Sequence, residues 1–353
     1  MDTLTDRQLN RATLQRQLLL ERSPDASPLD VVKLLVGMQG QEPGQAQIGL
    51  WNRIQGFDPA EFDTLLEQRK VARATLFRST QHMLATEDFV WMRPLLQPVV
   101  ERLATTFFRQ YVHGVDREEL VAEATRLLDG VTLSRPEVGR ALEQRWPDNQ
   151  GVWLARAAQA ALPIVHPHPD GAWGRRGTTP FALGEQWLGR PFATDGDPRE
   201  LVLRYLAGFG PASVRDMQAW SGLTRMKAVF EELRPRLVTY RSEHGTELFD
   251  RPGRELPDPD RPAPVRFLPG FDNVTFGYHD RRRIIADEHR PALVEYAAFT
   301  VDGRVRGAWK IQADVLRIRP FTPLTRAERT EAEPEAEALH AFIGTTDLKF
   351  EQW

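Results

Sequence analysis

The feature of this sequence that most constrains its fold is an order of elements, helices followed by a β-hairpin, that occurs three times along the chain. The third copy is the clearest, because apolar spacing predicts a helix over 198–207 and two shorter helices separated by a turn at Gly222. Thr224 is placed to cap the second of these, over 224–234, and a hairpin follows with its turn at Gly245. These are the elements of a winged helix-turn-helix unit.

The two earlier copies repeat this architecture with little identity of sequence. In the first copy, caps and apolar spacing predict helices over 6–21, 29–38, 45–55 and 59–69, and a hairpin over 71–89. In the second copy they predict helices over 117–128, 134–145 and 151–162, with strands over 162–166 and 180–183. The recurrence predicts three units of one kind in tandem.

A linker rich in proline and aspartate, over 251–264, separates the third copy from a region in which strands predominate. The acidic segment 325–343 is predicted to form an outer, solvated helix. The predicted fold class is therefore α+β, with three tandem winged helix-turn-helix units and a C-terminal strand-rich region. The predicted boundaries are 1–95, 96–195, 196–252 and 253–353.

Composition excludes several classes of function. The 353 residues contain no cysteine, which excludes disulfides, thiolate metal sites and cysteine nucleophiles. The eight histidines lack the helical pairing of a zinc enzyme, and the glycine patterns of phosphate and dinucleotide loops are absent, so neither a metal nor a cofactor is expected. The N-terminus is charged and no apolar run reaches a membrane span of about 18 residues, so we expect a cytoplasmic protein without membrane contact.

Two classes of function remain for a chain of winged-helix units. The first is a non-catalytic DNA-binding transcription regulator, and the second is a DNA enzyme whose active site consists of amides and carboxylates. Hydrolysis by a serine nucleophile is not expected, because the G-x-S-x-G elbow is absent. The formal net charge of -3 excludes neither class, since phosphate binding depends on where the charges lie.

Three segments decide between these classes by resemblance: LLVGMQGQEPGQAQIGLWNRIQGFDP, VARATLFRSTQHMLATEDFVWMRPLLQP and VRFLPGFDNVTFGYHDRRRII. They resemble the winged-helix DNA glycosylases of the AlkZ-like and YcaQ-like family, and the resemblance covers nearly the whole chain. It implies a C-shaped monomer around double-stranded DNA that removes cationic alkylated purines of the N7-alkylguanine type. Such enzymes serve in base-excision repair of simple or bulky adducts, in unhooking interstrand crosslinks, or in self-resistance of antibiotic producers.

The family signature is Gln-x-Gln or Gln-x-Asp, and two such triplets occur in this sequence. In the family the signature precedes a Leu-Trp-x-Arg segment by a fixed distance. Counting back from Leu50 selects Gln39 and Gln41, whereas Gln45 and Gln47 fall inside the following helix. The resemblance therefore implies that Gln39 and Gln41 are catalytic.

Amide side chains suit a substrate whose base already carries a positive charge. A glutamine carbonyl accepts a hydrogen bond from a water molecule and directs its dipole at the developing sugar cation. Because an amide does not ionise, it is no full general base, and the base must leave readily. We consider Glu42 and Asp272 as alternative water activators, and we expect a monofunctional reaction because the nearest lysine in sequence is Lys33.

The DNA contacts are expected from a hairpin and from a basic cluster. The hairpin resembles the R-x-T-x-H segment of the family, and three consecutive arginines in a turn favour phosphate contact over a merely solvated face. The predicted DNA-binding residues are Arg78, Ser79, Thr80 and His82 in the hairpin and His279, Arg281, Arg282 and Arg283 in the cluster, with Arg175 and Arg176 as weaker candidates. Phe89, Trp51 and Trp91 are expected in the core rather than against bases.

Overall fold

Capping chemistry sets where the first helices begin in the computed structural model, which describes residues 2–353. Thr5 caps the first helix and Ser27 the second, each in a capping box. The elements of this part are β1 Thr3–Leu4, α1 Asp6–Arg16, α2 Pro28–Leu34, β2 Met38–Gln39, α3 Gln45–Trp51, α4 Pro59–Glu67, β3 Val71–Thr75, β4 Gln81–Ala85 and α5 Thr86–Phe108. Both capped helices end earlier than predicted, since Leu18 and Val36 take positive φ angles.

The middle of the chain follows the predicted order closely. Asp116 and Ser134 cap two of its helices, and Pro180–Leu183 forms a strand with the predicted bounds. The elements are α6 Arg117–Leu128, β5 Leu133–Ser134, α7 Arg135–Arg145, α8 Gly151–Ala161, β6 Ile164–Val165, β7 Pro180–Leu183 and α9 Gly184–Leu188.

The third set of helices and hairpin has one start that the sequence analysis misplaced. Its elements are α10 Pro198–Phe209, α11 Val214–Ser221, α12 Lys227–Leu233, β8 Val238–Ser242 and β9 Glu247–Asp250. The predicted cap at Thr224 is wrong, because Arg225 has a φ of 61° and the helix begins only after Met226. The N-terminal strand β1 adds to this hairpin by pairing in parallel with β8.

The C-terminal region forms a five-stranded sheet in the order β10-β11-β12-β13-β14. Its elements are β10 Arg266–Phe267, α13 Asn273–Phe276, β11 Ala297–Val301, β12 Arg304–Gln312, β13 Val315–Pro320, α14 Arg326–Ile343 and β14 Asp347–Phe350. The acidic helix α14 lies on the outside, as predicted, and buries one face. The apolar face of this helix, formed by Ala332, Ala336 and Leu339, is fully buried and packs in one cluster with the apolar side chains of the sheet.

The first two hairpins were predicted as separate wings, but they form one sheet. Its order is β2-β4-β3-β6-β7-β5, and the contact between the two hairpins is the pairing of Ala74 with Val165. Helix α5 runs without a break across residue 95, where the sequence predicted the boundary between the first two units. Phe89 of this helix is fully buried, as expected from its apolar spacing. The strand that carries Gln39 is therefore the edge of a sheet to which two parts of the chain contribute.

No helix within residues 2–353 has both the length and the apolar character that crossing a membrane requires.

Candidate active site

Gln39 lies on a strand, not at the end of a helix. The chain leaves α2 through Val36 and Gly37, whose φ angles of 55° and 104° turn it out of the helical path. It then forms β2, in which Gln39 pairs with His82 of β4. A left-handed conformation at a β-branched valine is strained, and such strain concentrates at functional sites. The tertiary structure thus holds Gln39 on the sheet edge by a costly turn.

The side-chain amide of Gln39 is almost buried, and its carbonyl has no partner. The residue is 8% exposed, and Oε1 accepts no hydrogen bond from any residue that the structure describes. Leaving a buried polar atom unpaired costs about 1–3 kcal/mol. Gln39 borders a cavity of about 640 Å³ whose walls include Phe271, Tyr296 and Trp309. Because the last torsion of glutamine is broad, the carbonyl can turn toward this cavity without a change in backbone.

Gln41 faces a different cavity, and its carbonyl is occupied. The Gln41 Oε1 accepts a hydrogen bond from the backbone N–H of Gln81 at 3.1 Å. The residue is exposed and borders a second cavity, of about 320 Å³. Gln41 therefore offers its NH2 group as a donor. The two candidate amides therefore border two different cavities rather than one.

Glu42 is the carboxylate that borders both cavities. It is exposed and lines the walls of the larger cavity with Gln39 and of the smaller one with Gln41. Its backbone carbonyl accepts a hydrogen bond from Gln45, so the side chain is presented by a turn rather than by a regular element. This position suits a group that acts on a water between the cavities.

Asp272, the other predicted water activator, is committed to the fold. Its two carboxylate oxygens accept hydrogen bonds of 2.8 and 2.9 Å from Arg53, and both side chains are buried. The same carboxylate caps α13 through the N–H of Val274 at 2.9 Å. The prediction that Asp272 activates water is contradicted, because its oxygens are already engaged. It fixes instead the loop that carries Phe271 into the wall of the Gln39 cavity.

The side chains of the second glutamine triplet, which the motif spacing excluded, make hydrogen bonds within the fold. Gln45 accepts a hydrogen bond from the N–H of Gly270, and Gln47 donates one to the carbonyl of Gly171 at 2.8 Å. Both lie in α3, as predicted. The glycine between the catalytic candidates has a local reason too: a Cβ at Gly40 would lie 3.1 Å from Cγ of Met83, which is tighter than usual contacts.

The predicted DNA-binding residues of the first hairpin differ in exposure: His82 is buried, whereas Arg78, Ser79 and Thr80 are half-buried. Arg78 donates to the carbonyl of Trp220, and burial, with the charge of Arg281, lowers the pKa of Arg78 to about 10. His82 is 2% exposed. The hydroxyl of Thr80 donates a hydrogen bond to the carbonyl of Phe77. The predicted phosphate contact of His82 is therefore wrong, because its ring lies within the fold, whereas Arg78 is half-buried and directs one guanidinium nitrogen inward.

Ser79, the fourth residue of this hairpin, borders the smaller cavity. It has a φ of 60° and follows Arg78 with a φ of 52°, two consecutive strained positions that form the tight turn. Ser79 is thus the predicted hairpin contact that the structure brings beside Gln41.

The basic cluster is not one exposed patch. Arg283 is 4% exposed and donates to the carbonyl of Pro211 at 3.0 Å, so its predicted phosphate contact is wrong. Arg282 pairs with Asp280 at 2.6 Å, and Arg281 lies 4.5 Å over the ring of Phe276. Of the remaining candidates, His279 is exposed and lines another cavity with Arg282, Arg175 is exposed, and Arg176 borders the Gln39 cavity.

Sequence reasoning missed the polar residues of the smaller cavity that come from the second unit. Gln159 donates to Thr75 at 3.0 Å, and Gln81 donates to the same hydroxyl at 2.8 Å. Arg135 and Arg156 also line this cavity. No motif signals them, because the segments meet only through the pairing of two hairpins.

Two buried histidines predict a pH dependence of stability. Burial lowers the pKa of His82 and of His166 to about 3. The unfolded chain binds protons at these rings below about pH 6.5 and the native protein does not, so stability must fall on acidification between these values. We expect each ring to contribute a slope of up to about 1.4 kcal/mol per pH unit in urea unfolding.

The control for this prediction replaces the exposed His279 by Gln, which should leave the slope unchanged. A double H82Q, H166Q variant should show a shallower dependence between pH 6 and 4. An unchanged slope in that folded variant would show that the histidines do not carry the effect.

Comparisons with known proteins identify the family of this chain. The fold matches a solved structure, the DNA glycosylase AlkZ of Streptomyces sahachiroi, with a TM-score of 0.80 at 22% identity, covering 99% of this chain and 100% of that one. The chain thus has the fold of that structure. A curated interstrand DNA cross-link repair glycosylase of the same organism is 26% identical over an alignment of 377 positions, which covers 97% of each chain.

The model of the family "DNA glycosylase AlkZ-like" matches residues 32–342. The chain belongs to this family, so the resemblance inferred from its motifs is confirmed. It is a DNA glycosylase, a hydrolase of N-glycosyl bonds in DNA, and the comparisons do not favour the regulator hypothesis.

Proposed function

We propose that this glycosylase removes cationic alkylated purines of the N7-alkylguanine type from double-stranded DNA, acting as a monomer. The observation that carries the proposal is the unpaired carbonyl of Gln39 beside its cavity. A neutral acceptor stabilises a developing sugar cation by its dipole but protonates nothing. The leaving base must therefore already be cationic, as an N7-alkylated guanine is.

In this mechanism the three polar groups at the sheet edge have distinct tasks. Gln39 directs its carbonyl at the sugar cation, and Gln41, whose own carbonyl is held by Gln81, donates its NH2 to a sugar or phosphate oxygen. Glu42, between the cavities, positions and deprotonates the attacking water. Water adds to the anomeric carbon as the base departs with the bonding electrons, which neutralise its charge.

The size of the Gln39 cavity supports bulky adducts and interstrand crosslinks as substrates, in repair or in self-resistance. Its volume of about 640 Å³ lies within the range for drug-sized ligands. Val294 and Ile311, which are 68% and 42% exposed, form an apolar part of its wall. The name of the curated relative, a cross-link repair glycosylase, points the same way.

A monofunctional reaction is proposed although Lys310 borders the Gln39 cavity. Its Nζ lies 4.3 Å over the ring of Tyr296, a contact that engages the amine on the cavity wall. Lys33, the nearest lysine in sequence, pairs with Glu87 at 2.6 Å. Borohydride should therefore trap no protein–DNA adduct.

We further infer that the three sets of helices and hairpin act as winged-helix units in a C-shape around the duplex. The third set supports this best, since α10, α11 and α12 precede the β8–β9 hairpin in the order of a winged helix.

The test of the proposed function is release of base from defined substrates. Duplexes that carry N7-methylguanine, a bulky N7 adduct or an interstrand crosslink are incubated with the protein and treated with alkali to break the strand at abasic sites. We expect strand breaks at the adduct. Breaks at neutral damaged bases only would overturn the assignment to cationic purines.

A Glu42→Gln variant should release the base about tenfold more slowly than the wild type. This loss is smaller than the usual contribution of a general base, because the leaving base is already charged. Single-turnover rates with N7-methylguanine duplex measure this. Glu67→Gln, an exposed glutamate on α4, is the matched control and should keep the wild-type rate. A wild-type rate for Glu42→Gln would remove this carboxylate from the mechanism.

A further inference from the structure

The smaller cavity, beside Gln41, has a marked excess of positive charge. Arg73, Arg135 and Arg156 line it, and Glu42 is the carboxylate on its wall. Its other lining groups include the neutral hydroxyls of Ser79 and Thr179. Such a lining of cations and neutral donors matches the oxygens of an anion.

The three arginines differ in how their charges are compensated. Arg73 pairs with Asp170 and donates from Nε to the carbonyl of Gly40 at 2.9 Å, so it belongs to the frame of the sheet edge. Arg135 and Arg156 have no ion pair with any carboxylate in residues 2–353, and Arg156 Nε is buried without a hydrogen bond. Two half-buried cations side by side, neither with an ion-pair partner, are costly unless an anion joins them.

The surroundings of these two arginines add to this cost. Burial lowers the pKa of Arg135, and the charges of Arg156 and Arg73 lower it further. Arg156 lies 5.3 Å over the ring of Trp153, which orients its guanidinium. Arg135 begins α7 and Arg156 lies on α8, so two rigid elements hold the pair in place.

We propose that Arg135 and Arg156 bind the DNA backbone phosphate next to the damaged nucleotide, with Gln41 and Ser79 as neutral donors. This inference rests on the proposed function, since Glu42 joins this cavity to the one in which Gln39 would face the sugar. The two arginines are positioning residues: they hold the nucleotide so that its anomeric carbon meets Gln39. A guanidinium fork suits a phosphate better than an ammonium group does.

The experiment measures binding to a duplex with a stable abasic-site analogue across a salt series, apart from any chemistry. Loss of one contact between a cationic side chain and a phosphate makes the negative slope of log K against log salt concentration shallower by about one. Arg135→Gln should show this loss, with affinity about tenfold lower at moderate salt. Arg140→Gln, an exposed arginine on the same helix, is the matched control and should keep the wild-type slope.

A second variant, Arg156→Lys, keeps the charge and the buried stem but loses the fork. This variant should keep the salt dependence of DNA binding while it slows base release. That combination indicates that the nucleotide is misplaced, not that the attraction to its phosphate is lost. Wild-type slope and affinity in a folded Arg135→Gln protein would overturn the proposal. If the slope falls as expected but the wild type releases no alkylpurine, the phosphate site stands and the proposed substrate fails.

Discussion

Replacing Gln39 by alanine is expected to slow base release by about a hundred- to a thousandfold, the loss seen when one oriented polar group is removed from a charge-stabilising site. DNA affinity should change little, because the amide acts on charge that develops only in the transition state. Single-turnover kinetics on an N7-methylguanine duplex, with binding measured on undamaged duplex, separate the two quantities.

The same variant should be no less stable than the wild type. Gln39 Oε1 is buried without a partner, so its removal relieves a desolvation cost of about 1–3 kcal/mol. Activity and stability would then move in opposite directions, as at sites kept for function. Gln55→Ala, at an exposed glutamine away from both cavities, is the matched control. Equal losses of rate and of DNA binding would mark Gln39 as structural.

The largest effect on stability is expected at Asp272. Alanine at this position leaves Arg53 charged and buried without its partner, which should lower the free energy of unfolding by about 3–5 kcal/mol. Loss of the cap on α13 adds to this. Urea unfolding at neutral pH measures the change.

The control replaces both partners, as R53M with D272A. Because no buried charge is then orphaned, much of the lost stability should return. Base release per folded molecule should stay close to the wild-type rate in D272A, well above the rate expected for Glu42→Gln. Wild-type stability together with lost activity would restore Asp272 as a water activator.

The sequence predicted elements best where the signal is local. Helix Arg117–Leu128 and strands Pro180–Leu183 and Val315–Pro320 have the predicted bounds, because caps, turns and periodicity lie within each segment. The end of α2 was missed, since Val36 adopts a left-handed angle that its type disfavours and only packing imposes. That error placed Gln39 just after a helix rather than on the sheet edge.

Charge patterns were the least reliable guide to the site. Three consecutive arginines suggested an exposed patch, but Arg283 lies within the fold against Tyr278, at 4.3 Å. Arg135 and Arg156 are isolated in sequence and meet only where α7 and α8 border one cavity. A charge run records composition along the chain, whereas exposure depends on which distant segment packs against it.

By itself, the sequence identified the family of this protein and selected Gln39 and Gln41 over Gln45 and Gln47 as catalytic candidates, because motif spacing and local periodicity can be recognised along the chain. Only the tertiary structure decided that Gln39 and Gln41 face separate cavities, that Asp272 is locked to Arg53, and that two hairpins join in one sheet. Those features depend on burial and on pairing between segments far apart along the chain, which no local pattern encodes.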